Sequence, residues 1–523
     1  MSQQAADDLI LAIDNGTQSV RALLFDLEGN LVAKAQETLT PYYAKHPGWA
    51  ENDAEYYWQG VINACQKLWQ KTDIDKARIK GVGLTTQRAT LINVGKDGKP
   101  LRPAMTWMDQ RKAQVDMRRV NPLLRGALKL LRVDDTFKHL MGEAECNWIA
   151  QNQPEVVQQT HKFLLLSGYL THHLCGEYVD SVASQVGYIP FDYKKLRWAG
   201  KADPKWQGLD VKREWLPDLV EPGKPLGKIT AEAAGATGIP VGLPLIACAA
   251  DKACEVLGSG GITPNVGCLS FGTTATINIA SEKYFERLPF IPPYPAAMPK
   301  VYNSEVQIYR GYWMVSWFKE QFGFKEQVKA EEEGCAPEEL FDELIKDVPP
   351  GSLGLMLQPY WNPGVRDPGP EAKGAIIGFG DAHTRGHVYR AILEGLAYGL
   401  RDGREQLEKA RKVKIDTLRV SGGGSQSDAA MQLTADIFNL PACRPHTFET
   451  SGLGAAINVA VGLGLQPNFE TAVAKMTRVG DIFEPQPQAA LLYDELYKDV
   501  YQKMYKQLQP LYKRIREITG YPA

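Results

Sequence analysis

Five stretches of this chain carry side chains whose types and spacing could do chemistry. Asp14-Asn15-Gly16-Thr17 lies between two apolar runs. A glycine there lets the backbone approach an anion, the turn amides form a small anion-binding concavity, and Thr17 adds a hydroxyl donor. Asp14, at a strand end, suits Mg2+, held directly or through water. The plain alternative is a hairpin turn, because Asn-Gly is a common turn dipeptide. Gly272-Thr273-Thr274 offers a second such turn in the other half of the chain. A nucleotide clasped by two domains needs one phosphate-gripping turn from each. Ser421-Gly422-Gly423-Gly424-Ser425 puts three glycines in a row between an apolar strand and a helix. Their entropic cost points to a ligand lying against bare backbone. Asp251 follows an apolar stretch and opens a helix, so its carboxylate either accepts a proton from a substrate hydroxyl or caps the helix. Gln87-Arg88, after a strand ending in Thr-Thr, has the donors and acceptors to hold polyol hydroxyls; solvation is the alternative for the arginine. The pattern G-x-x-x-x-G-K-[ST] is absent and no dinucleotide fingerprint is complete, which sets aside P-loop kinases and NAD dehydrogenases.

The elements that must position these residues follow from periodicity and turn chemistry. Short strands are expected at 9–13, 20–25 and 31–35, then at 79–85 and 91–94, with helical patterns dominating 109–175. A buried strand is expected at 240–249, and Asp251 begins a helix. Gly258-Ser259-Gly260-Gly261-Ile262-Thr263-Pro264 marks a domain boundary, and its glycines suit a hinge. A second hairpin follows at 266–271 and 275–279, echoing the first. The second half alternates a helix at 388–409, a strand at 417–420, a helix from about Ser427, and an amphipathic helix at 489–517. The expected fold class is therefore α/β, in two similar domains, 1–258 and 259–523.

Composition narrows the class. Across 523 residues, 59 Lys and Arg stand against 61 Asp and Glu, and 44% of residues are hydrophobic. Such a balance excludes a disordered chain and leaves no electrostatic footprint for nucleic acid or an anionic membrane. No apolar run approaches a membrane span, and the residues before Leu9 lack the charge and apolar length of a secretory signal. Eight cysteines without a C-x-x-C pair fit the reducing cytoplasm, and Cys254 reads as a small buried filler.

Together these motifs resemble the FGGY carbohydrate kinases, the family of glycerol kinase, xylulokinase and ribulokinase. The resemblance runs in the family's order over nearly the whole chain. It takes in Asp14-x-Gly-Thr17 with Arg21, Gly48-Trp49-Ala50-Glu51-Asn52-Asp53, Thr86-Gln87-Arg88 and Trp107-Met108-Asp109-Gln110-Arg111. Ala250-Asp251, Phe271-Gly272-Thr273-Thr274 and Gln358-Pro359-Tyr360 through Arg366-Asp367-Pro368 come next. Gly374 to Glu394 matches the family signature with one conservative departure, Phe379; Gly422-Gly423-Gly424 and Glu449-Thr450-Ser451-Gly452-Leu453-Gly454 close the series.

The resemblance implies two actin/hexokinase-like (ribonuclease H-like) domains, each on a mixed five-stranded sheet, with the active site in the cleft between them. It implies ATP and Mg2+ as cofactors and a small sugar or polyol as substrate; a homodimer is compatible with it. Asp251 is then the general base and Asp14 the magnesium carboxylate. Thr17 and Thr273 are phosphate contacts, the run Gly422, Gly423, Gly424 holds the adenosine, and Gln18, Arg21, Gly272, Gly311, Ser425 and Asp428 complete the cofactor-binding set. Gln87, Arg88, Asp109 and Lys252 face the substrate. Four departures bear on the substrate. Ala89 stands where glycerol kinases carry Glu, Thr86-Gln87-Arg88 stands where xylulokinases carry Met-His-Gly, Lys252 follows the base where a neutral residue is usual, and the stretch Ala144-Glu145-Cys146-Asn147-Trp148 differs from the family's Lys-x-x-Trp. Losing the carboxylate at position 89 favours a four- or five-carbon polyol or ketose over glycerol, and Lys252 leaves an acidic sugar as the minor option. A chaperone-like actin-fold ATPase is the competing class, and a pure sugar-binding protein leaves the glycine run unexplained.

Overall fold

The computed structural model describes residues 8–287, 291–362, 364 and 368–521. Arg366 and Asp367 of the Pro-Tyr stretch, and the polar residues before Asp8, lie outside the described residues. The chain folds into two compact units. Unit 1 comprises the described residues up to Gly260, with Ser281–Asn303 and Glu449–Thr477; unit 2 comprises Gly261–Ala280, Ser304–Phe448 and the described residues from Arg478 onward. The first break falls close to the expected 258, but two later segments return to unit 1, so the units are not contiguous in sequence.

Unit 1 is built on six strands: β1 (Leu9–Asn15), β2 (Ser19–Asp26), β3 (Leu31–Thr38), β4 (Ile79–Thr86), β5 (Pro225–Lys228) and β6 (Pro244–Ile246). Their order is β5-β6-β4-β1-β2-β3. β1 is central and parallel to β4, antiparallel to β2. It is covered on both faces, which is why it reads as an unbroken apolar run. β3 is at the edge and alternates in burial along its length. Helix Ala54–Lys71, capped by Asp53, packs Tyr57, Val61, Ala64 and Leu68 into this core.

Unit 2 repeats the plan with β7 (Val266–Phe271), β8 (Ala275–Ser281), β9 (Tyr302–Ile308), β10 (Thr417–Ser421), β11 (Ala442–Pro445) and β12 (Val479–Phe483), following one another as β9-β8-β7-β10-β11-β12. β7 pairs antiparallel with β8 and parallel with β10, as β1 does with β2 and β4. The hairpin echo in the sequence is thus an echo of whole sheets. Four expectations need correction. Each of these two sheets has more than the five strands expected. A strand, Lys162–Leu165, interrupts the stretch read as helical, because its partner Leu91–Val94 overrides local propensity. The strand expected at 240–249 is only Pro244–Ile246. The last helix is broken by a π-helical turn, Tyr497–Tyr501.

Candidate active site

Register alone gathers the unit 1 candidates. β1 and β4 pair with Asp14 opposite Thr85 and Asn15 opposite Thr86, and Thr86 bridges to Ala250. The carboxyl ends of these neighbouring parallel segments therefore deliver Asp14, Gln87-Arg88 and Asp251 to one edge, the usual place for a ligand in such a sheet. The Gln87 amide donates to the Asn15 carbonyl at 2.9 Å and holds that edge together. Asp251 opens helix Asp251–Gly258, and no side chain caps that helix at Ala250. The helix is locked against Thr450–Gly462: a Cβ at Gly454 would lie 1.9 Å from the Cys254 carbonyl oxygen, and one at Gly258 2.0 Å from that of Thr450.

The polar groups at this edge are linked. The Trp107 indole N–H donates to Thr17 Oγ1 at 3.0 Å, and that hydroxyl donates to Gln87 Oε1 at 2.9 Å. The Tyr57 hydroxyl lies against Gln87 and Asn52. Arg88 lies over the Tyr294 ring, 5.2 Å from its centroid. Burial pushes the Asp251 carboxyl up, while the charges of Lys252 and Arg88 oppose the shift. Its Oδ1 accepts the Lys252 amide at 2.7 Å. The Lys252 ammonium is committed to Glu255, 2.7 Å away. Gln18 is exposed, and its carbonyl accepts the Leu39 amide at 2.8 Å.

Asp14 is 4% exposed. Arg21 reaches its Oδ2 at 3.3 Å and Glu449 Oε2 at 3.5 Å, and Lys34 pairs with the same glutamate. Burial pushes the Asp14 carboxyl up to about 7 from an ordinary 3.8; Arg21 opposes, and the carboxylates of Asp251, Glu449 and Glu255 add. A cation fits this surplus of buried negative charge. Among the described residues no group of three or more His, Cys, Asp or Glu is arranged to hold a metal, so an ion here would rest on Asp14 and oxygens other than the protein's, as Mg2+ prefers. A pH dependence follows. Between about 4 and 7 folded Asp14 keeps a proton that unfolded Asp14 has lost, so stability falls as pH rises through that window and levels off above it. Metal-free protein should unfold at a higher temperature near pH 5.5 than near pH 7.5. Asp14→Asn should shrink that difference; an unaltered difference in the variant would contradict the assignment.

Asp109 sits in a different environment from Gln87 and Arg88. Its carboxylate accepts Arg111 Nε at 2.8 Å, Arg111 Nη2 at 2.6 Å and the Ala50 amide at 2.8 Å. Arg111 also pairs with Glu51 at 2.9 Å, and its guanidinium lies 4.1 Å from the Trp49 ring centroid and 4.4 Å from that of Trp148. Arg102 pairs with the same Glu51 oxygen. Asp109 is thus consumed by a buried ion-pair network. Glu145, the departure from Lys-x-x-Trp, borders it, and burial pushes its carboxyl up to about 8.

In unit 2, Ser270 pairs with Ser421 across parallel β7 and β10, so the turn at Gly272 and the glycine run leave adjacent strand ends. Thr273 is exposed at the turn tip. Gly311 donates to the Thr273 carbonyl at 2.9 Å, and a Cβ there would strike the Ala275 amide nitrogen at 2.1 Å. Ser425 Oγ donates to the Gly422 carbonyl at 2.7 Å. Arg444 bridges the Ser425 carbonyl, Asp428 and Asp481 at 2.7, 2.7 and 2.6 Å.

Two contributors stand outside the candidate residues of the sequence. Glu449 appeared only as part of a motif, and its ion pair with Arg21 joins positions 428 residues apart in sequence. Asp180 was missed outright. Its buried carboxylate accepts Ser167, Gln185 and the Ser181 amide, ordering a segment whose Ala183 carbonyl takes the Ala250 amide at 3.1 Å. An Asp followed at once by Ser, a side-chain-to-backbone turn pattern, was the available signal.

A two-domain α/β chain with a buried carboxylate opening a helix on one sheet and glycine-rich turns on the other is built as a phosphotransferase. Residues 9–258 match the model for the N-terminal domain, and residues 267–463 that for the C-terminal domain, of the FGGY family of carbohydrate kinases. The chain belongs to the FGGY family of carbohydrate kinases, ATP-dependent enzymes whose acceptor is an alcohol group of a small sugar or polyol. The uncharacterized sugar kinase YgcE of Escherichia coli (strain K12) is 32% identical over 519 residues, covering 97% of this chain and 96% of its own length. A xylulose kinase of Staphylococcus epidermidis (strain ATCC 12228 / FDA PCI 1200) is 27% identical over 521 residues, 98% of this chain and 99% of its own. The crystal structure of xylulose kinase from Rhodospirillum rubrum shares 26% identity and a TM-score of 0.78, covering 97% of this chain and 100% of that one. Among the described residues no helix is long and apolar enough to cross a membrane.

Proposed function

We propose that this kinase phosphorylates an uncharged four- or five-carbon polyol or ketose, with Asp251 as general base. The hydroxyl oxygen of the substrate attacks the γ-phosphorus, its proton passes to the Asp251 carboxylate, and ADP departs. The reaction asks mainly for positioning and charge neutralisation. Asp14 would hold Mg2+, which supplies neutralising charge to the phosphates. Gln87 and Arg88 hold the sugar, Thr17 and Arg21 serve the phosphates from unit 1, and unit 2 takes the nucleotide at Gly272-Thr273 and the glycine run. The eight unpaired cysteines suit the cytoplasm.

The observation that carries the uncharged substrate is the Lys252–Glu255 pair. The acidic-sugar option rests on Lys252, whose ammonium is neutralised 2.7 Å away by Glu255. The size preference rests on Ala89, which places a methyl group where glycerol kinases place a carboxylate. It sits in the left-handed region at φ 51°, and a Cβ added at Gly187 would lie 3.7 Å from its methyl carbon. The relatives that act on xylulose support a five-carbon chain.

A kcat/KM panel across glycerol, four- and five-carbon polyols and ketoses, and sugar acids tests both points. A neutral four- or five-carbon member should lead, and Ala89→Glu should shift preference toward glycerol. Glycerol leading by more than about tenfold would overturn the size reading, and a leading sugar acid would overturn the charge reading.

A further inference from the structure

Three successive glycines invite one explanation, but the structure shows three different surroundings. Gly422 has φ +86°, and a Cβ there would lie 2.9 Å from the Phe271 backbone. Gly423 has no protein atom within 4 Å of where its Cβ would be. Gly424 is not in the left-handed region, so its conformation admits alanine. What excludes a side chain there is the Tyr312 ring, whose Cδ1 would lie 2.3 Å and Cε1 2.5 Å from a Cβ. The same ring stacks on Phe271, with centroids 4.4 Å apart and planes at 19°. The Tyr312 amide donates to the Gly272 carbonyl at 3.0 Å.

One side chain therefore touches both loops of unit 2. We infer that Tyr312 is a positioning residue for the nucleotide: its ring sets the spacing between the phosphate turn at 271–273 and the glycine run at 422–424, and Gly424 is glycine in order to seat that ring. The inference rests on the reading that unit 2 takes the nucleotide. Ridge-to-gap packing of this kind has no slack, because filling the gap with one methyl group displaces a flat ring that is also stacked on Phe271.

A double-mutant cycle on the full-length enzyme tests it, with ADP affinity by calorimetry and thermal unfolding as readouts. Tyr312→Ala should weaken ADP binding by roughly tenfold with the sugar KM nearly unchanged, and Tyr312→Phe, which keeps the ring, should retain wild-type affinity. Gly424→Ala should cost roughly tenfold in ADP affinity beside Tyr312 but less than about twofold in the Tyr312→Ala background. Equal costs in the two backgrounds would mean that the bare backbone of Gly424 serves the ligand, and the Tyr312 assignment would fall. If Tyr312→Ala does not fold, Tyr312→Leu serves the same cycle. Gly423→Ala separates the underlying reading. Undiminished ADP affinity there, with the Gly424–Tyr312 coupling confined to thermal unfolding, would overturn the nucleotide role and leave a packing contact.

Discussion

Asp251→Asn should lower kcat by about 10²–10⁴-fold, the usual effect of removing a general base, while ADP binds with near wild-type affinity. The substitution is close to isosteric, and the amide oxygen still accepts the Lys252 N–H that Asp251 Oδ1 takes at 2.7 Å. Helix Asp251–Gly258 should therefore stay in place, held by its backbone-close packing on Thr450–Gly462. What the variant loses is a site for the hydroxyl proton. Burial has already pushed the wild-type carboxyl up, which makes it a better proton acceptor than an exposed aspartate. Steady-state kinetics with ADP calorimetry on the same preparation checks this; an undiminished kcat would reduce Asp251 to a residue of the helix first turn.

The second large effect is on stability. Arg111→Met should destabilise the fold by about 3–5 kcal/mol, as expected when one partner of a buried ion pair is removed and the other left uncompensated. The Arg111 and Asp109 side chains are 4% and 1% exposed, so Asp109 is left with neither a countercharge nor water, whereas Glu51 keeps Arg102. Methionine can occupy the space between Trp49 and Trp148 but supplies no charge. Denaturant unfolding gives the number, and a loss below about 1 kcal/mol would mean the pairs count no more than exposed ones.

Much of this could be read in the sequence because it is local. β1, its turn and β2 follow from an apolar run, Asn-Gly and a second run, and β7–β8 follow in the same way. Asp251 was legible as a helix opener because the apolar stretch stops just before it. What could not be read depends on partners far along the chain. Asp109 looks available for a sugar until Ala50, Glu51 and the two tryptophans close around Arg111, and nothing in Trp-Met-Asp-Gln-Arg announces them. The glycine run looks like one ligand cradle because Tyr312, which occupies the space at Gly424, lies 112 residues earlier. Strand Lys162–Leu165 hides among helical patterns because its strand character comes from pairing with Leu91–Val94. Lys252 reads as a free cation until Glu255, one helical turn on, takes its charge.

The most direct measurement is ADP release from ATP by the wild-type enzyme, with each member of a polyol and ketose panel added in turn. The expected result is slow basal hydrolysis that rises at least about hundredfold with a neutral four- or five-carbon substrate, and a phosphorylated sugar formed in equal amount with ADP. Hydrolysis that no sugar or polyol accelerates would contradict it and turn the reading toward a nucleotide-driven machine on the same fold.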